Sequence, residues 1–183
     1  MKRPTKTAPE ESTDHIDRLR TQWELELPNL DTRPMSVLGR VYRLSNLVRP
    51  SIETTFAQFG LDRGEFDVLS TLLRSGSPYR LIPTQLYRSM MISSGGLTHR
   101  LVRLERAGLI TRIPDAQDGR SLAVELTTQG HDITEAAFRA DMASEAEFLA
   151  GLTESEFETL AVLLRKLHRA VEKRVAAPDS DLA

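Results

Sequence analysis

The stretch LVRLERAGLITR, residues 101–112, contains a change of period. Leu97, Leu101 and Leu104 recur at helical spacing, and Gly108 stops that helix. Leu109-Ile110-Thr111-Arg112-Ile113 then reads as a strand, and Leu122-Ala123-Val124-Glu125-Leu126 as a second, cleanly alternating one. PDAQDGRS (114–121) lies between them, with Asp118-Gly119 as a turn signal. Two strands alone are marginal, so the hairpin is expected to pack on neighbouring helices.

Upstream, Pro83 suits the first turn of a short helix over 83–90. MMISS connects it to a helix over about 94–107. Short helix, tight connection, second helix and hairpin follow one another as in a winged helix-turn-helix. Asp62-Arg63-Gly64-Glu65 has capping-box spacing and opens an earlier helix, with Phe66, Leu69, Leu72 and Leu73 turned inward. Before it, Leu38, Val41, Leu44, Val48, Ile52, Phe56 and Phe59 form a helical stripe, which Pro50 is expected to kink or split. Ile16, Leu19, Trp23 and Leu27 form a shorter one. Downstream, Thr127 or Thr128 caps a helix to about Leu149, and Thr153 to Glu156 has capping-box spacing again. Phe157, Leu160, Leu164, Leu167 and Val171 continue from there.

The expected fold is mainly α with a small β-hairpin wing. Its parts are a disordered tail (1–12), an N-terminal helix and linker (13–35), a long helix (36–60), the winged helix-turn-helix (61–127), C-terminal helices (128–175) and a tail (176–183).

The 183 residues hold 24 basic and 26 acidic side chains, a net charge of −2. That sum argues against nucleic acid, but its distribution does not. Residues 88–120 carry six arginines against three acids, while residues 121–183 carry 6 basic and 12 acidic groups. The arginine-rich stretch coincides with the second helix and the hairpin. On that helix His99, Arg103 and Arg106 lie away from the leucines, free to enter a major groove. Ser93, Ser94 and Thr98 lie near its start, where hydroxyls and backbone N–H groups reach phosphates. Arg120 lies at the hairpin tip, suited to a minor groove.

From about Ser36 to Val171 the sequence resembles the MarR-type transcriptional regulators. LVRLERAGLITR, Asp118-x-Arg120-Ser121 in the wing, and Leu126-Thr127 with Gly130 carry the resemblance. It implies a homodimer built from the N- and C-terminal helices, bound to a pseudo-palindromic double-stranded operator. It also implies that Asp118 braces Arg120 for DNA contact. Apolar stripes at both ends of the chain exceed what a small winged domain covers, which independently favours a dimer.

The added helix with Trp23 resembles that of the urate-responsive subfamily. Matching ligand residues stand at Trp23, Asp67, Arg100 and Arg112. Each has a plainer reading: Trp23 as core, Asp67 as a surface partner of Arg63 at i,i+4, Arg112 as a phosphate contact. Together they imply a repressor released by urate or a related organic anion, with Arg100 paired to Asp67 behind the DNA surface. An indole and guanidinium groups suit a planar monoanion.

Other classes find little support. The chain has no cysteine, and its four histidines (His15, His99, His131, His168) show no ligand spacing, so neither a metal nor a cofactor is expected. No catalytic constellation is present, and enzyme activity is not expected. The remaining alternatives are a regulator of another aromatic or carboxylic acid and a winged-helix module that binds protein. No secretory or membrane segment is evident, so a cytoplasmic location is expected.

Overall fold

The computed structural model describes residues 13–91, 96–114 and 122–176. The chain divides into two compact units, one ending at Thr54 and one beginning at Thr55.

In the first unit, helix α1 (His15–Glu26) starts at Asp14, whose carboxylate accepts the N–H groups of Ile16 and Asp17 at 2.8 and 3.0 Å. Arg40 donates to Asp14 and Asp17, each at 2.7 Å, and holds the Asp14 carboxyl down at about 2. Ile16 is buried against Gly39, where an added Cβ would sit 3.3 Å from its Cδ1. A π-helical turn, Met35–Gly39, leads into α2 (Arg40–Ala57). The expected split at Pro50 does not occur, and α2 runs through it as one helix. A proline removes a single i→i−4 bond, and the turns on either side keep theirs. Trp23 is 47% exposed, and Leu44 and Leu47 are exposed too.

The second unit is built around α3 (Arg63–Arg74). Val68, Leu69 and Leu72 are fully buried, and Phe66 stacks on Phe56 at 4.0 Å between ring centroids. Around α3 come α4 (Pro83–Ser89), α5 (Leu97–Arg106) and α6 (Thr128–Leu149), supplying Leu86, Leu101, Leu104 and Ala137 to the core. Strands β2 (Ile110–Pro114) and β3 (Leu122–Leu126) pair antiparallel, with Arg112 opposite Val124. The hairpin is not alone: β1 (Arg80–Leu81) adds a third strand in the order β1-β3-β2. Helix α7 (Glu154–Ala176) keeps Phe157, Leu160 and Leu164 exposed.

The entry to α6 explains the glycine at 130. Thr127 receives the Gly130 N–H on its hydroxyl at 3.0 Å and donates that hydroxyl to the Gly108 carbonyl at 2.7 Å. The backbone of Leu109 therefore runs against the helix, and a Cβ at Gly130 would lie 2.0 Å from the Leu109 oxygen. This oxygen also accepts the Thr127 N–H at 3.1 Å, and a backbone oxygen so held cannot yield as a side chain can. Gly130→Ala is expected to lower unfolding free energy by about 1–3 kcal/mol, measured by denaturant titration.

Asp141 on α6 is only 6% exposed, and its Oδ1 has no hydrogen-bond partner. Burial pushes its carboxyl up to about 6, helped by Glu145 and opposed by Arg63. The raised value means that the native state binds a proton more readily than the unfolded chain between about pH 4 and 6. Above that window the buried charge destabilises the fold; below it the penalty vanishes. Asp141→Asn is expected to be more stable than the wild type near neutrality, by up to about 3 kcal/mol, and so to melt at a higher temperature. Melting curves across this range should show the gain fading as pH falls through 6.

Candidate nucleic-acid interface

Helices α4 and α5 rest their leucines on α3 and turn the opposite faces outward. Gly96, the N-cap of α5, has φ +78°, a left-handed conformation that an added side chain would strain. Thr98, His99, Arg103 and Arg106 are all exposed. Ser93 and Ser94 lie outside the described residues, as do Asp118 and Arg120 of the wing. The sequence reading missed two exposed neighbours, Tyr87 on α4 and Met91 beyond it, the latter 85% exposed. Tyr87 lines a shallow cleft with Pro83, Thr84, Leu97 and Thr98. An outward tyrosine on the helix preceding a recognition helix is the signal that could have found it.

Asp67 is not the surface partner of Arg63 that its spacing allowed. It is 5% exposed, and both carboxylate oxygens accept the backbone N–H of Met91, at 3.1 and 3.0 Å. Arg74 approaches the same carboxylate at 4.0 Å and donates to the Ser89 carbonyl. A buried charge on α3 thus holds the start of the α4–α5 connection.

Arg100 is aimed elsewhere. Its guanidinium lies against Gly64, where a Cβ would come within 2.1 Å of Nε. Its Nε is 3.9 Å from Asp62 Oδ1. One turn on, Arg103 brings Nε to 3.0 Å from Glu65 Oε1 and Nη1 to 3.6 Å from Asp62 Oδ2. Arg103 therefore bends back toward α3, although its sequence position suits a groove. Glu65 was legible only as half of a capping box, and its ion pair was not.

Arg112 points along β2 toward α5. Its Nε is 3.2 Å from Glu105 Oε2, a charge contact without hydrogen-bond alignment. Nε and Nη2 are both buried without a hydrogen-bond partner. Arg112, Asp67 and Arg100 all belong to the second unit, and Trp23 to the first. Among the described residues no group of His, Asp and Glu could hold a metal ion, and no helix is long and apolar enough to cross a membrane.

The sequence pattern of the MarR family matches residues 59–121. The transcriptional regulator PecS of Dickeya dadantii is 36% identical over 148 residues, covering 81% of this chain and 89% of PecS. A transcriptional repressor of Mycobacterium bovis is 29% identical, covering 75% of this chain and 95% of the repressor. Among solved structures, a mutant MarR from E. coli complexed with operator DNA is similar at a TM-score of 0.61 and 25% identity, covering 79% of this chain and 96% of that one. With the helix pair and sheet described above, these similarities identify the chain as a member of the MarR family of winged-helix transcriptional regulators.

Proposed function

We propose that this regulator is a homodimeric repressor, released from a pseudo-palindromic operator by urate or a related planar organic anion. Thr98, His99 and Arg106 face the major groove, Ser93 and Ser94 reach phosphates from the start of that helix, and Asp118 braces Arg120 for DNA contact by their match to the family pattern.

The observation that carries the effector reading is Arg112. Two guanidinium nitrogens sit buried with no acceptor, and a buried donor left unpaired is costly. A planar anion supplies the acceptors that these donors lack. Glu105, the carboxylate already beside Arg112, belongs to the recognition helix. An anion on Arg112 would repel Glu105 and compete for its partner. That is a differential interaction of the kind that a ligand needs in order to shift a conformation. Asp67 gives the same unit a second point of control, through the Met91 N–H at the start of the connection.

The dimer reading rests on exposed apolar side chains. Phe157, Leu160, Val162, Leu163 and Leu164 stand open to solvent on α7, as do Val41, Leu44 and Leu47 on α2. Patches of this kind usually mark an interface.

In a gel shift with the operator, urate at millimolar concentration is expected to weaken the complex about 5–150-fold. Arg112→Gln and Asp67→Asn should blunt that response, and Trp23→Phe tests whether α1 takes part. An operator complex untouched by urate would remove the effector and leave the DNA reading standing. A weak dependence of binding on salt would instead favour a protein partner.

Sedimentation equilibrium is expected to give twice the 20.5 kDa chain mass. Leu160→Glu together with Leu164→Glu should reduce it to one chain and abolish operator binding. A monomeric wild type would overturn the dimer.

A further inference from the structure

We propose that Arg103 is a positioning residue, which clasps the recognition helix to Glu65 of α3 and makes no phosphate or base contact of its own. Its exposed place on α5 argues for DNA, but its charge is already engaged.

Glu65 is 2% exposed. Its Oε2 accepts the Asp62 N–H at 2.9 Å, closing the capping box of α3. The same carboxylate accepts one hydrogen bond from Arg103, Nη2 to Oε2 at 3.4 Å, while Arg103 Nε stands 3.0 Å from Oε1 as an ion pair. A charge-assisted hydrogen bond beside a close ion pair on one carboxylate holds the guanidinium at two points. Asp62, the other half of the capping box, stands 3.6 Å from Arg103 Nη1 and 3.9 Å from Arg100 Nε. Two arginines one turn apart on α5 thus meet two carboxylates one turn apart on α3. Gly64 lies between those carboxylates and leaves room for the Arg100 guanidinium.

A buried carboxylate needs a counter-charge, and removing one partner of such a pair strands the other. If Arg103 swung out to a phosphate, Glu65 would be left ionised and buried. Outward rotation is therefore opposed by the core itself. The clasp sets the tilt of α5 on α3, and with it the direction in which Thr98, His99 and Arg106 are presented.

The test uses Glu65→Gln, which keeps the capping hydrogen bond because glutamine serves in a capping box, but loses the charge that holds Arg103. Its companions are Arg103→Gln, Arg103→Lys and the double substitution to glutamine. Operator and random-sequence duplexes are titrated with the full-length protein over a range of salt. The two glutamine variants change net charge in opposite directions, so general attraction to DNA predicts opposite effects.

The clasp predicts the same effect from both: operator affinity falls about tenfold or more, as expected when a supporting contact lets a site loosen. Random-sequence binding and the salt slope should hold. The double substitution should cost no more than either single one, as for residues acting through one contact. Arg103→Lys keeps the charge but not the two-point contact of the guanidinium, and should also lose operator affinity. Three results would overturn the clasp: operator affinity unchanged or raised in Glu65→Gln, a salt slope reduced by about one in Arg103→Gln, or wild-type affinity in Arg103→Lys. Circular dichroism of Glu65→Gln and Arg103→Lys separates loss of the clasp from loss of the fold.

Discussion

Helix α3 carries carboxylates into the core of the winged unit, and the arrangement of the DNA-facing elements depends on how those charges are satisfied. Glu65 and Asp67 are both nearly inaccessible. A carboxylate in such a place must be hydrogen-bonded or paired, and each finds its partner on the elements that follow. Glu65 takes Arg103 from α5. Asp67 takes the Met91 N–H, where the chain leaves α4. A hydrophobic contact between helices tolerates sliding, whereas these contacts have direction. Leu101 and Leu104 decide that α5 packs on α3, and the two carboxylates decide at what angle and register.

The same logic changes how the arginine count is read. Residues 88–120 hold six arginines, a surplus that pointed toward DNA. Arg103 is paired to Glu65, Arg112 lies beside Glu105, and Arg100 lies near Asp62. Among the described residues, Arg88 and Arg106 are the exposed arginines of that stretch without an ion pair. Three of the six arginines are thus engaged with carboxylates of the helix pair. The electrostatic footprint of the stretch is smaller than its composition suggests. Acid helices downstream reinforce this, since phosphate repels them wherever they approach it.

Most of the fold was legible because it rests on local signals. Asp62 with Glu65 and Thr153 with Glu156 announced two helix starts, and both boxes are formed. The switch from helical to alternating spacing at Gly108 located the wing strands within a residue. What escaped depends on contacts distant in sequence. Strand β1 is two residues long, with no pattern of its own, and exists because Arg80 and Leu81 meet Glu125 and Val124 of β3. Asp67 at i,i+4 from Arg63 looks like a surface residue, and its burial follows from helices that pack around α3. Nothing local distinguishes Arg103 from Arg106; only the position of Glu65, 38 residues earlier, separates a held arginine from a free one.

Arg112 and Arg103 show two outcomes of one problem. Both are guanidinium groups held beside a glutamate, Arg103 at the surface and Arg112 half-buried. Glu65 is buried and fixed by its own capping bond, so Arg103 meets a rigid acceptor and donates a hydrogen bond to it. Glu105 stands on the exposed side of α5 and has no such constraint, and Arg112 keeps two buried nitrogens unsatisfied beside it. A satisfied pair stiffens its surroundings, and an unsatisfied one leaves free energy for a ligand to recover. The recognition helix is thus gripped at its face toward α3 and only loosely held at its face toward the wing. In the proposed effector response, an anion at Arg112 would act on the loose side with the gripped side as a pivot, and would turn α5 without detaching it.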